Sequence, residues 1–453
     1  METTHNEIFE TLAVPKAIAK LALPTMLGML VTVIYNLADT FFVGQLNDAN
    51  QVAAVTLTTP VFMWFMALGS IFGIGGGSYI SRLLGQKQFD KCKTTCSVAF
   101  YLAIVVGVIC MTLGIIFIDP LLSLIGANNA TWEFTKSYLV IFIAGAPFVI
   151  VSFVFGQIIR AEGAAKQAMI GMMIGTILNI ILDPLFIITF KLDVAGAAYA
   201  TVIANIVTVL YYIRYCLKES PYLSVLPKHF KISRDILKNI FPIGIPASLN
   251  GLLFGTSALV LNNVAKSYGN SVIAAIGIVS KATMFPAMLL IGLCVGIQPL
   301  IGYNYAAGNH KRLTDVIKTT LIFGTIFGII TTIMLVFLSP YIVSAFLDDA
   351  EVISLGTRIL NINTLSIPFL CTLFLMTNIF QALGKALPSM ILSISRQGLI
   401  FIPVVVIANN LIGLNGIIWA QPISDILSSI IAVLLYIKTC CKDIEVNHPR
   451  TTK

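Results

Sequence analysis

Three carboxylates stand deep inside long apolar stretches of the sequence, Asp39, Asp183 and Asp425, and the basic residue that stands out beside them is Lys281. An ionised group at mid-bilayer costs at least about 2.5 kcal/mol, so a functional role is the default reading for each. Asn179 and Asp183 are four residues apart and share a helix face, as do Tyr35 and Asp39. Counted to the nearest outer polar residue at a helical rise, Asp39 lies roughly 9 Å deep, and Asp183 and Thr201 roughly 12 Å. Carboxylates, an amide carbonyl and a hydroxyl at one depth suit a hard cation such as Na⁺, and two neighbouring carboxylates also allow one of them to hold a proton near neutral pH. The blander role, hydrogen bonds that tie helices together, is disfavoured because two acids are a costly tie. Lys281 and Asp425 either pair with each other or leave one group facing a substrate path. Met63, Trp64, Met284, Phe285 and Met288 offer an adaptable apolar surface for varied cations.

The elements that must position these groups follow from composition. Of 453 residues, 57% are hydrophobic and 11% charged, with a mean hydropathy of +0.93. An ordinary globular chain carries about 25% charged residues, so a soluble enzyme, a nucleic-acid-binding domain and a disordered chain are excluded. Apolar segments run over 16–44, 52–84, 95–118, 134–159, 168–190, 195–217, 236–265, 272–303, 315–346, 353–380, 388–412 and 414–438. These twelve are long and continuously apolar, which predicts an all-α integral membrane protein of twelve spanning helices rather than a barrel of alternating strands.

Basic residues fix the orientation. Lys87, Lys91 and Lys93, then Arg160 and Lys166, Arg214 through Lys238, Lys311, Arg312 and Lys318, Lys385 and the tail from Lys438 all fall on one side. The opposite loops hold only Lys191 and Lys266, with Lys136 and Arg358 entering helices from there. Both termini are therefore expected in the cytoplasm, and the net charge of +8 is a matter of topology, with no nucleic-acid partner implied. The polar, acidic N-terminus gives no reading of a cleaved signal.

The polar connection 218–235 divides the chain into an N-terminal six-helix lobe (1–217), a C-terminal six-helix lobe (236–439) and a cytoplasmic tail (440–453). The lobes repeat. RAEGAAKQAM, with Gly163 and Met169, answers to QALGKALPSM, with Gly384 and Met390, and GAAYAT from Gly196 answers to GIIWAQ from Gly416. Gly73 and Gly85 likewise answer to Gly296 and Gly308. An even number of helices per repeat makes the two halves parallel, an arrangement of secondary transporters with the path between halves. Asn179 and Asp183 fall opposite Ile400 and Val404. Acids needed only for packing would recur in both lobes, whereas these occur in the first alone.

Other chemistry is missing. His5, His229, His310 and His448 all lie in tails or loops, and there is no HExxH, GxxxxGK[ST] or Gly-x-Gly-Asp. The eight cysteines form no disulfide framework. Cys92 and Cys96, one turn apart, have no His or third Cys near them in sequence to make a metal site.

Taken together, LPTMLGMLVTVIYNLADTFFVG with Pro24 and Asp39, RAEG, NIILDP around Asn179 and Asp183, and AGAAYAT ending in Thr201 resemble the bacterial multidrug and toxic compound extrusion (MATE) transporters over nearly the whole chain. The resemblance implies two pseudo-symmetric six-helix bundles in the cytoplasmic membrane, exporting small amphipathic, often cationic compounds in exchange for Na⁺ or H⁺, with no cofactor and as a monomer among membrane lipids. It carries a first-lobe cation site over to Asp39, Asn179, Asp183 and Thr201, with Tyr35 adjacent. Substrate contacts are expected from Met63, Trp64, Lys281, Met284, Met288 and Asp425. Some members carry acids in the seventh and tenth helices, which 236–265 and 353–380 lack. The alternatives are a lipid-linked precursor flippase of the same architecture, which would need a cavity rich in Arg, and an intramembrane aspartyl enzyme.

Overall fold

The computed structural model describes residues 7–45, 48–347 and 349–441. The chain is helical: α1 (Val14–Gly44), α2 (Ala49–Gly85), α3 (Phe89–Ile116), α4 (Trp132–Ala144), α5 (Ala146–Ala161), α6 (Ala165–Pro184), α7 (Asp193–Lys218), α8 (Arg234–Ala265), α9 (Asn270–Ala306), α10 (His310–Ser344), α11 (Ala350–Thr364), α12 (Ile367–Ala382), α13 (Ala386–Ile394), α14 (Ile402–Ile412) and α15 (Leu414–Tyr436). Among the described residues ten helices are long and apolar enough to cross a bilayer, α13 and α14 counting as one through the π-helical turns Ser395–Phe401. Two bent pairs, α4 with α5 at 55° and α11 with α12 at 47°, bring the number to twelve when each is one span.

The two bends occupy matching places in the repeat. Pro147 and Pro368 each sit in the first turn after the break, where the absent N–H costs no helical bond. Gly107 on α3 faces Pro147 and Gly328 on α10 faces Pro368 so closely that a Cβ on either glycine would collide with proline backbone. Each repeat thus seats its kink against a glycine of a neighbouring helix.

The chain forms two compact units, one of Met1–Thr11 with Leu27–Gly251 and the other of Leu12–Met26 with Leu252–Lys453. The first unit therefore continues through the 218–235 connection into α8, and α1 and α8 each contribute to both units. The physical reason lies in how that connection is held. Glu162, one residue beyond α5 and fully buried, accepts hydrogen bonds from Tyr215 Oη (2.8 Å), Ser220 Oγ (2.5 Å) and the Tyr222 N–H (3.2 Å). Ser97 and Tyr101 of α3 donate to the carbonyls of Leu226 and Val225, and Phe89 stacks on Tyr222 with ring centroids 4.7 Å apart. The start of α8 is fixed in the same way. Tyr79 donates to Asp235 at 2.8 Å, Arg82 reaches Asn239, and Gly244 meets the backbone of Ile71. Burial pushes the Glu162 carboxyl up to about 7, against the lowering effect of Ser220, Tyr215 and Tyr222.

Candidate functional site

In the first unit a four-residue stripe along α6, Gly171, Gly175, Asn179 and Asp183, is buried. The two glycines let α7 approach closely, since a Cβ at Gly171 would strike the Tyr212 ring and one at Gly175 the Thr208 hydroxyl. Tyr212 Oη donates to the Ala168 carbonyl across the interface (2.7 Å), while the Thr208 hydroxyl lies between the carbonyls of Ala204 on its own helix (2.9 Å) and Gly171 on α6 (3.3 Å). One and two turns further along the stripe, the polar groups meet in the same interface. Asn179 is 2% exposed, Asp183 0% and Thr201 5%. With its NH₂ turned to the carboxylate, Asn179 donates to Asp183 Oδ2 at 2.9 Å and its carbonyl accepts the Thr201 N–H at 3.1 Å. In the opposite orientation its nitrogen lies 3.3 Å from Thr201 Oγ1. The Asn179 amide thus bridges the Asp183 carboxylate on its own helix and the Thr201 N–H across the α6–α7 interface. Pro184 closes α6 immediately afterwards, and the chain passes into the π-helical turn Leu185–Thr189.

Asn179, Asp183 and Thr201 are thus brought together as the sequence predicts. Tyr35 lies half-buried on α1 in the same unit. The backbone of Asp39 belongs to α1, while its side chain lies outside the described residues. Among the described residues there is no group of three or more His, Cys, Asp or Glu placed to hold a metal ion.

The second unit differs from expectation. Asp425 on α15 does not pair with Lys281; its partner is Arg396, whose Nε donates to Oδ1 at 2.8 Å. Gln421 Nε2 donates to the same oxygen at 2.9 Å. The Ser366 hydroxyl at the α11–α12 break lies 2.9 Å from Oδ2, with the Asn363 carbonyl as an alternative acceptor at 3.0 Å. Lys281 is exposed and makes no ion pair among the described residues. It shares a stripe of α9 with the half-buried Met284 and Met288. Met63 and Trp64 are exposed on α2 in the first unit. Arg396 is the residue that sequence reasoning passes over, and its signal was plain: a guanidinium inside the apolar run 388–412. Its pairing was not, because it spans 29 residues and depends on the π-helical turns around it.

The MatE family profile matches this chain twice, over residues 24–185 and 246–407. The chain belongs to the MatE family. The two matches start 222 residues apart (246 less 24), which agrees with the internal repeat and leaves the first-unit acids without counterparts. The MatE chain is 40% identical to "Multidrug export protein MepA" of Staphylococcus aureus (strain MSSA476) over 94% of each chain, and 36% identical to the protein of that name from Staphylococcus saprophyticus over the same share. Among solved structures it is similar to one described as an outward-facing conformation of a multidrug resistance MATE family transporter of the MOP superfamily. That likeness has a TM-score of 0.89 and 28% identity over 96% of each chain.

Proposed function

We propose that this MatE protein exports small amphipathic, often cationic compounds across the cytoplasmic membrane by antiport against Na⁺ or H⁺. The observation that carries the reading is the buried Asn179–Asp183–Thr201 cluster, in a chain 40% identical to a multidrug export protein. Asp183 and Asp39 supply the negative charge for the coupling cation, Asn179 an amide oxygen and Thr201 a hydroxyl. The same carboxylates serve when the coupling ion is H⁺. Both termini face the cytoplasm by the distribution of basic residues. Access alternates as the two units move as near-rigid bodies, turning where α1 and α8 pass from one unit to the other, near Met26 and Gly251. Lys281, Met284 and Met288 contact substrate from the second unit, Met63 and Trp64 contact it from the first, and the protein works as a monomer.

The test uses purified protein in liposomes loaded with a cationic dye, with a Na⁺ gradient and a pH gradient imposed separately. Dye moves against its own gradient under at least one of them. Dye movement indifferent to both gradients contradicts antiport, while lipid scrambling without dye transport favours the flippase reading.

A further inference from the structure

The guanidinium of Arg396 is committed on one edge and one face. Its Nε edge is taken by Asp425, and its plane lies over the Phe374 ring, with Cζ 5.2 Å from the centroid. Nη1 and Nη2 meet no acceptor among the described residues, although the side chain is only 19% exposed. Four of the five N–H donors of an arginine are thus largely withdrawn from bulk water and still unspent. Arg396 lies ten residues beyond Ala386, or roughly 15 Å along the helix, near the middle of a hydrocarbon core about 30 Å thick. An arginine at that depth does not turn its open edge to acyl chains; it faces protein or a watered cavity. The carboxylate of Asp425 is 2% exposed and already faces the Arg396 guanidinium, the Gln421 amide and the Ser366 hydroxyl.

We propose that the Nη1–Nη2 edge of Arg396 is the specificity-determining anchor for the acidic group of an amphiphilic cargo, a carboxylate or a similar two-oxygen anion. The proposal rests on the export reading above and assigns a residue to the choice between acidic and ester forms of one cargo. Two parallel N–H donors match the two oxygens of a carboxylate, and the Phe374 ring continues the site with an apolar wall. Asp425 tunes the site. It fixes the guanidinium in place and at the same time offsets part of the attraction for an incoming anion. Removing that carboxylate while keeping its shape therefore strengthens the site instead of destroying it, a sign that a purely structural ion pair would not produce.

The experiment measures binding of a rhodamine in its free-acid and methyl-ester forms to the reconstituted protein, in vesicles of uncharged phosphatidylcholine and again with phosphatidylglycerol added. Wild type binds the acid about tenfold more tightly than the ester, the scale of a charge-assisted pair of hydrogen bonds. Asp425→Asn raises that ratio, and Arg396→Gln in the Asp425→Asn background, where no buried charge is stranded, brings it to about one. A wild-type ratio of one, or a ratio that survives Arg396→Gln, overturns the proposal. A preference that disappears when phosphatidylglycerol is present also overturns it, because the occupant is then a lipid headgroup. Gradient-driven export of the ester alone leaves the export reading standing while this one falls; export of neither form removes both.

Discussion

The two halves of this protein descend from one plan and solve the same problem, a polar residue at mid-membrane, in opposite ways. On the repeat, Asn205 in the first unit stands opposite Asp425 in the second, and each reaches a serine of a bent helix pair: Ser152, within α5, donates to Asn205 Oδ1 at 2.6 Å, and Ser366, at the α11–α12 break, lies 2.9 Å from Asp425 Oδ2. Gly175 stands opposite Arg396. Where the glycine lets α6 and α7 close together, the chain carries its acid, Asp183, two turns away beside the Asn179 amide. Where the arginine enters, its Nε edge pairs with Asp425 within the same unit. A buried carboxylate beside a neutral amide and a hydroxyl offers oxygen ligands to an external cation, which a carboxylate already paired with a guanidinium does not, and this contrast is why coupling is proposed for the first unit.

The same asymmetry appears where α5 gives way to α6 and α12 to α13. Glu162 in RAEG stands opposite Leu383 in QALG, and only the first unit has a connecting segment to hold. The Glu162 carboxyl is raised from 4.5 to about 7, so the folded state keeps a proton that the unfolded chain has lost. Stability is then fullest below about pH 4.5, falls as pH rises towards 7 and is level above it, a span of about 3 kcal/mol at 1.36 kcal/mol per pKa unit. Glu162→Gln removes this pH dependence, which thermal unfolding in detergent at pH 5 and pH 8 would show, whereas Leu383→Gln introduces none. A wild-type melting temperature that rises between those two pH values contradicts the assignment.

A smaller effect tests the symmetry itself. Gly107→Val and Gly328→Val both press a side chain into the proline of a kink and cost roughly 1–3 kcal/mol each, the usual penalty of overpacking. The two values agree within about 1 kcal/mol if the bends are equivalent. Gly277→Ala, with nothing within 4 Å of its new Cβ, is the control and is neutral or slightly stabilising. Unequal losses at Gly107 and Gly328 break the equivalence of the two kinks.

Much of this was legible before any coordinates. The twelve spans follow from apolar length, the repeat from Gly163 and Gly384 with their methionines, and the Asn179–Asp183 pair from a spacing of four on one helix. Thr201 was legible only as an equal depth, because its contact crosses from α6 to α7 and depends on Gly171 and Gly175 bringing them close. The Arg396–Asp425 pair was hidden. Helical spacing says nothing about partners 29 residues apart, and the π-helical turns around Arg396 shift its direction from the one a regular helix gives. Glu162 was hidden too, since its burial is created by a polar connection that the sequence presents as a mere linker.

The central claim, that the driving cation couples in the first unit, is tested most directly by comparing Asp183→Asn with Asp425→Asn in proteoliposomes under an imposed cation gradient, with substrate affinity measured with and without the cation. The account predicts that Asp183→Asn, like Asp39→Asn, abolishes cation-driven efflux and the mutual shift in affinity, which for an intact coupling of about 1–3 kcal/mol is 5- to 150-fold. The double mutant is no worse than either single one, and Asp425→Asn produces the smaller loss of coupling. If Asp183→Asn and Asp39→Asn pump at wild-type rates, or if Asp425 alone proves essential for coupling, the first-unit site is wrong.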